Sequence, residues 1–352
     1  MSAARARVLI LAAGRFDEAL AARIRAGEEP RLDIFDLQAA LGADLLDFRA
    51  VDGSPRLAVR IVQRALGDPA ALALIGAAER RRYDAVLTTG EDIGIPLAAL
   101  WKGRRAPVHT MIAHTLTPAK KRAFFQLLRV QDRIDRILCY SSNEASHMIE
   151  QLRLPAARVK LFRYHADDQF FRPAGLPPEP DLICSAGQLL RDYPTMVEAV
   201  RGLPVRLRIA AGSPWIERDL RPDRPLPANV EWRRYSRAEL RELYGRSALA
   251  VVPIVENTYQ TGISTILEMM AMGKCVIASR TRGQTDTIVD GVNGVYVPPG
   301  DPGALRSTIE RLLGAPEEAA RIGAEARRFI EREANTARFV ERVAAAVLAP
   351  RT

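Results

Sequence analysis

The carboxylate of Glu268 falls inside the otherwise apolar run of QTGISTILEMMAMGKCVIAS, residues 260–279. The residues ahead of it, Thr261, Gly262, Ile263, Ser264 and Thr265, are mostly small or hydroxyl-bearing. Their pattern predicts a helix that starts near Thr265 and is capped by Ser264 or Thr261. Ile266, Leu267, Met270 and Ala271 would form its apolar face, and Gly273 its left-handed stop. CVIAS then reads as a buried strand. The free backbone N–H groups of the five leading residues, with the positive end of the helix dipole, make an anion site. Glu268, about one turn in, would repel a phosphate beside it but can accept hydrogen bonds from sugar hydroxyls. A nucleoside diphosphate whose ribose lies above the helix satisfies both demands. The spacing alone also allows a surface Glu268 paired with Lys274.

Other residues could share such a site. Arg191 reads either as a solvated arginine at a helix start or as a charge for a diphosphate. His114, in MIAHTLTPAKKR, follows an apolar strand. A lone histidine there is either structural or able to reach a ligand. Gly14 ends the first apolar run, at a strand–helix turn where backbone can approach a ligand closely. Asp167 and Asp168 invite a metal reading, but their place beside a Pro-rich hinge argues against it. Cys139, Cys184 and Cys275 lie far apart, with neither metal-ligand spacing nor a disulfide framework. That usage predicts a reducing compartment.

An alternation of strands and helices must position these residues. RVLILAA (7–13) is an apolar run of strand length, followed by Gly14 and a helical pattern in FDEALAARIRAG. YDAVLTTG and IPLAALWKG repeat the scheme, and APVHTMIAH and RIDRILCYSS add two more apolar runs. RPAGLPPEPD (172–181) holds four prolines and a glycine in ten residues and reads as a linker. The alternation restarts with LICSAG, VRLRIAAGS and LAVVPIV as strands. The expectation is two similar α/β domains with parallel sheets. The first covers residues 1–171, a hinge 172–181 and the second 182–335. An amphipathic helix at 336–352 would pack back on the first. A site at the carboxyl ends of the strands, in the cleft between the domains, is the default for such sheets.

The 352 residues allow each domain its own core. No apolar stretch approaches the ~20 residues of a membrane span. The apolar run of MSAARARVLILAAG breaks too early for a signal peptide. The net charge of +9 suits nucleotide phosphates, anionic lipid or nucleic acid. The basic residues are dispersed and no recognition motif accompanies them, so no nucleic-acid partner is expected. The segment from Pro118 to Arg136 gathers six basic and two acidic residues around Phe124, Phe125, Leu127, Leu128 and Ile134. It reads either as an ordinary domain helix or as a basic amphipathic helix on an anionic membrane surface.

PIVENTYQTGISTILEMMAMGKCVIAS, with GQTDTIVDGVNGVYVPPGD after it, resembles the donor-binding half of glycosyltransferase family 4, the retaining GT-B enzymes. SAGQLLRDYPTMVEAV (185–200) and the run from YSSNEASHM to DDQFFRP are also similar, so the resemblance covers most of the chain. It implies two Rossmann-like α/β domains facing across an interdomain cleft. Family members carry two glutamates separated by seven residues. Glu268 matches the second, which implies a ribose contact. Gln260 stands where the first, a contact to the donor sugar, is expected. Asp286 stands where a glutamate is usual. Of two basic residues that clamp the diphosphate, Arg191 matches the second, and Gln188, after Gly187, replaces the first. Arg163 or Lys274 would have to supply the missing charge. A fixed cation there would stabilise the leaving diphosphate. The resemblance also assigns His114 to the donor sugar or acceptor, and Gly14 to backbone near the phosphates or acceptor.

The activity implied is retaining, metal-independent transfer of a hexose-type sugar from a UDP- or GDP-sugar to a hydroxyl acceptor. The leaving phosphate would act as base in a front-face attack. His114, Arg191 and Gln260 would serve catalysis. Gly14, Gly187, Gln188, Arg191, Gln260, Thr261, Gly262, Ile263, Ser264, Thr265 and Glu268 would bind the donor. Neither a cofactor nor a metal is expected. With the basic charge, the acceptor would be lipid-linked or a membrane-surface glycan, and the enzyme cytoplasmic, peripheral on the inner face of the membrane. Two rivals stand beside this reading. One is a GT-B epimerase or hydrolase, which needs no acceptor. The other is a non-catalytic nucleotide-sugar-binding protein, toward which Gln260 and Gln188 lean.

Overall fold

The computed structural model describes residues 6–117, 121–123, 125, 129–173, 175, 177–212 and 225–351. They form two compact units. The first takes the described residues of Met1–Ala22, Leu32–Phe162 and Ala337–Thr352, and the second those of Arg23–Arg31 and Arg163–Thr336.

The strands of the first unit are β1 (Val8–Leu11), β2 (Asp44–Leu46), β3 (Ala85–Thr88), β4 (Val108–Ile112), β5 (Arg136–Cys139) and β6 (Val159–Leu161). All pair in parallel, in the order β2-β1-β3-β4-β5-β6. Helices cover both faces of a parallel sheet, so its central strands read as continuous apolar runs such as VLIL in β1. The helices are α1 (Glu18–Arg25), α2 (Asp33–Leu41), α3 (Phe48–Asp52), α4 (Leu57–Leu66), α5 (Asp68–Ala78), α6 (Glu91–Leu100) and α7 (Ser142–Glu150). Strand order reverses between β1 and β3. The loops after those strands, with Gly14 and Gly90, therefore lie at the switch point where such sheets bind ligands.

The second unit holds β7 (Glu179–Ala186), β8 (Arg206–Ala210), β9 (Val230–Arg233), β10 (Ser247–Val252), β11 (Val276–Ser279) and β12 (Val295–Val297). Their order is β12-β11-β10-β7-β8-β9, again all parallel. Its helices are α8 (Tyr193–Ala199), α9 (Arg237–Arg246), α10 (Ile263–Ala271), α11 (Pro302–Gly314) and α12 (Pro316–Glu333), while α13 (Thr336–Leu348) belongs, after its first residue, to the first unit. Successive strand residues alternate between faces. Leu182, Cys184, Ala250 and Val252 pack with α9 and α10, while Ile183, Leu249 and Val251 pack with α8 and α11. The switch point falls between β7 and β10.

Two expectations change. The long segment of the second unit begins at Arg163, ahead of the Pro-rich stretch, because Phe170 and Phe171 are buried in its core and Asp167 is gripped by Arg31 of its short one. The end of that stretch is itself β7. The residues from Pro118 to Arg136 are not one helix. Pro118, Phe124, Leu127 and Leu128 lie outside the described residues. Beyond them Arg129 is left-handed (φ 46°), Val130–Arg133 forms a 3-10 turn and Arg136 opens β5. Pairing with β4 takes this end into the sheet, and Phe125, Val130 and Ile134 are buried. Among the described residues no helix is long and apolar enough to cross a membrane.

Candidate functional site

Two loops meet at the β7–β10 switch point. After β7 the chain turns through Gly187 (φ 94°) and Leu190 (φ 52°). A left-handed leucine is strained. Its loop is held to the one after β10, where Val255 N donates to Leu190 O at 3.0 Å and Asp192 N to Pro253 O at 3.1 Å. Arg191, next in the chain, turns its side chain inward and is 9% exposed. Nε donates to Ala186 O at 2.9 Å, Nη1 to Leu189 O at 2.9 Å and Nη2 to Thr265 Oγ1 at 3.1 Å. Two glycines make the room. A Cβ at Gly187 would overlap the guanidinium, and one at Gly262 would stand 3.1 Å from Nη1. Burial pulls the Arg191 pKa below its ordinary value, against Tyr193, Tyr244 and Glu268. A guanidinium remains protonated all the same. Gln188, expected in place of a clamp residue, is also buried, at 4% exposed.

α10 starts at Ile263, two residues before the expected start, and its N-cap is Gly262 (φ 82°) with no side chain capping it. Neither Ser264 nor Thr261 is the cap. Ser264 lies exposed in the first turn, and Thr261 Oγ1 donates to Asn257 Oδ1 at 3.1 Å. The left-handed glycine swings the chain straight into the helix. The amides of Ile263, Ser264 and Thr265 are thereby left for an anion, beside the Arg191 cation.

Glu268 lies about one turn further on, its side chain 14% exposed. Arg237 Nη1 is 3.5 Å from Oε1, and Tyr244 Oη donates to Oε2 at 3.4 Å, both from α9. Burial raises the Glu268 pKa above its ordinary value, against Arg237, Tyr244 and Arg191. Lys274 is not its partner. Its Nζ donates to Gly245 O at 2.7 Å and Ser247 O at 2.9 Å, which also removes it as a substitute diphosphate clamp. Arg163 donates to Asp286 O at 2.9 Å and lies over the Phe329 ring.

Gln260 reaches Thr287 Oγ1 from Nε2 at 3.5 Å, and its buried Oε1 has no partner among the described residues. Gln284, wholly buried and unforeseen, donates to Thr261 O at 3.0 Å and also keeps an unpartnered Oε1. An unsatisfied buried acceptor costs roughly 1–3 kcal/mol until a donor arrives.

In the first unit, Gly14 has φ 152°, and a Cβ there would meet the Phe16 ring at 2.8 Å. Buried Asp47 fixes the loop by accepting from Phe16 N at 2.8 Å and Arg49 N at 2.9 Å. His114 N donates to Glu91 Oε2 at 2.9 Å, and its Nε2 lies 3.2 Å from Thr89 O. Glu91 also accepts from Thr115 N at 3.3 Å and Lys121 Nζ at 2.6 Å. Glu144 accepts from Thr115 Oγ1 at 2.8 Å and Leu116 N at 3.1 Å. Two buried carboxylates, each in the first turn of a helix, thus clamp the loop that carries His114. Burial alone would raise the Glu91 pKa, but His114 and Lys121 outweigh it and hold the pKa below its ordinary value. Sequence reasoning missed both acids. The one signal was an acid just past a strand, where a helix begins.

Asp167 accepts from Arg31 N at 2.7 Å, Nε at 3.0 Å and Nη2 at 2.8 Å, an ion pair in the second unit. Among the described residues no group of three or more His, Cys, Asp or Glu could hold a metal ion. The second unit brings together Gly187, Gln188, Arg191, Gln260, Thr261, Gly262, Ile263, Ser264, Thr265 and Glu268, and the first carries Gly14 and His114.

Residues 186–315 match the family model described as Glycosyl transferases group 1. The D-inositol 3-phosphate glycosyltransferase of Thermobifida fusca is 26% identical over 227 residues, 54% of this chain and 50% of that protein. Its namesake from Mycolicibacterium paratuberculosis is 28% identical over 245 residues, 60% of this chain and 54% of that protein. The chain spans about half the length of the curated relatives it matches. Among solved structures, Anabaena HepE in complex with UDP-glucose is similar at a TM-score of 0.71 and 15% identity, over 97% of this chain and 99% of that one. Sucrose-phosphate synthase from Thermosynechococcus elongatus is similar at 0.70 and 16% identity, over 97% and 98%. With two six-stranded parallel sheets and likeness to these structures along nearly its whole length, the chain has the GT-B fold, and its residues 186–315 match the glycosyl transferases group 1 model.

Proposed function

We propose that the protein is a retaining, metal-independent glycosyltransferase that moves a hexose-type sugar from a nucleoside diphosphate donor to a hydroxyl acceptor. One observation carries this reading: the largely buried Glu268 carboxylate lies one turn from the uncapped amides of α10, and the Arg191 guanidinium is bonded to that same first turn. An anion and a diol are the two ligands such a site accepts, and a nucleoside diphosphate carries both. Glu268 receives the ribose hydroxyls. The amides of Ile263, Ser264 and Thr265 receive phosphate oxygens, and Arg191 offsets the charge that grows on the diphosphate as the glycosidic bond breaks. Gln260 Oε1 accepts from a sugar hydroxyl. His114 and Gly14 serve the sugar and acceptor side. The acceptor oxygen bonds to the anomeric carbon on the face from which the diphosphate departs, which retains the configuration, and the leaving phosphate takes the acceptor proton.

The donor is a UDP- or GDP-sugar. The UDP-glucose bound to HepE makes UDP-glucose the first to try. The names of the curated relatives put D-inositol 3-phosphate on the acceptor panel, beside lipid-linked and membrane-surface acceptors. Calorimetry with UDP, GDP and their sugars tests the donor site. Binding by the native chain and its loss in Glu268→Ala are expected, and equal affinity in both would refute the ribose assignment. Product NMR in EDTA tests the rest. An inverted anomer would overturn retention, and activity only with added metal would overturn metal independence. Binding without turnover over the whole panel would leave a nucleotide-sugar-binding protein, and sugar release without acceptor a hydrolase.

A further inference from the structure

Helix α4 turns apolar side chains to solvent. Leu57 is 71% exposed, Ile61 57% and Leu66 71%. These are three of the five most exposed large hydrophobic side chains among the described residues, and one helix carries all three. Single exposed leucines need no explanation, but a cluster does. Leu57 and Ile61 are one turn apart, hence on one face, and exposed Ala58 and Ala65 widen the stripe they form. The opposite face already fills the core through Val59 and Val62. α4 therefore has an apolar face to spare after folding.

The flank of that stripe is basic. Arg56, Arg60 and Arg64 are all exposed, and neither α4 nor its N-cap position contains an acidic residue. Neighbouring acids are engaged elsewhere. Glu79 pairs with Arg82 at 2.8 Å and is 3.9 Å from Arg56. Asp52 and Asp68 both bind Arg15 at 2.8 Å. Among the described residues Arg60 and Arg64 have no acid within ion-pair distance.

We propose that α4 is a docking surface for an anionic phospholipid bilayer. The Leu57–Ile61 stripe enters the boundary between headgroups and acyl chains, and Arg56, Arg60 and Arg64 meet the lipid phosphates. Charge complementarity selects this occupant over a second copy of the chain. A two-fold interface sets a patch against itself, and here it would set arginines against arginines. The net charge of +9 adds attraction to the same surface. The inference is independent of the sugar-transfer reading.

Cosedimentation of the full chain with large vesicles tests it. One set is phosphatidylcholine alone, the other phosphatidylcholine mixed with phosphatidylglycerol. Two surface variants, Leu57→Gln with Ile61→Gln and Arg60→Glu with Arg64→Glu, are checked for unchanged thermal melting. The native chain is expected to bind the anionic vesicles and release as salt rises. Each double variant should bind them roughly tenfold or more weakly. Three outcomes would overturn the proposal: a native chain left in the supernatant with anionic vesicles; variants that bind like the native chain; or a native dimer that Leu57→Gln with Ile61→Gln dissolves while vesicle binding is unchanged.

Discussion

Arg191 Nη2 donates to Thr265 Oγ1 across 3.1 Å, and this bond ties the turn after β7 to the first turn of α10. The same guanidinium satisfies Ala186 O and Leu189 O, so it is a strut as well as a charge. Arg191→Ala should lower turnover roughly 10- to 1000-fold. It should also lower stability by about 2–4 kcal/mol, because buried acceptors lose a charged donor. Arg191→Lys keeps the cation but loses the planar fork and should fall between the two. Steady-state kinetics beside urea melts separate the roles. Native turnover in Arg191→Ala would remove the residue from the site.

Glu268 sets stability against binding. Burial lifts its pKa above the ordinary 4.5, so the folded chain favours the protonated acid. That contribution is full below the unfolded pKa and is lost as pH rises through the raised folded value. Glu268→Gln, which cannot ionise, should therefore melt at or above the native temperature at neutral pH. The difference should close as pH falls toward the ordinary carboxylate range. Nucleotide affinity should drop about tenfold or more, since an amide cannot accept from a diol as a carboxylate does. Melts across pH, with calorimetric titration of UDP and GDP, check both. Unchanged affinity would reject the ribose contact.

The parts of this molecule that sequence displays are those where local pattern and packing coincide. Strands buried on both faces are written as apolar runs, and VLIL and VIAS gave away β1 and β11. The anion site was legible because glycine and hydroxyl residues precede an apolar helix. The helix start was not, because a left-handed Gly262 looks like any loop glycine while Thr261 and Ser264 look like caps. Phe170 and Phe171 read as the end of one domain but lie in the core of the next, a long-range choice with no local mark. The basic count after Pro118 says nothing of the backbone, which Arg129 and β5 decide. Glu91 and Glu144 could pass for ordinary helix-start acids. Only the folded loop shows that 113–117 saturates both.

Glu91 should prove to be what holds His114 in place. It gathers His114 N, Thr115 N and the half-buried Lys121 ammonium. Removing one member of such a pair strands the other, so Glu91→Gln should cost about 3 kcal/mol. The Glu91 pKa lies below its ordinary 4.5. Its contribution is present above that unfolded value and is lost as pH falls through the lower folded value. The gap between native and Glu91→Gln melts should therefore narrow in acid. Amide hydrogen exchange at Thr115 and Leu116 should quicken in the variant. Exchange at the native rate would show that Glu144 alone suffices to hold the loop.

Gln260 offers a way to separate sugar from nucleotide. Its Oε1 has no partner, and its Nε2 contact to Thr287 Oγ1 is long at 3.5 Å. Gln260→Ala should therefore cost less than about 1 kcal/mol of stability. The amide lies at the far end of the 260–268 loop and helix start from the Glu268 carboxylate. Affinity for UDP should hold within about twofold, while affinity for the matching UDP-sugar should fall about tenfold, the loss of one well-made hydrogen bond to a ligand. Gln260→Glu should keep UDP affinity and change the ranking among UDP-sugars, because a carboxylate offers two acceptor oxygens and no donor where the amide offers one acceptor oxygen and an NH2 donor. Titrating each variant with a nucleoside diphosphate and then with its sugar reads both effects. Equal losses for the two ligands would make Gln260 part of the loop's architecture and leave sugar recognition to other residues.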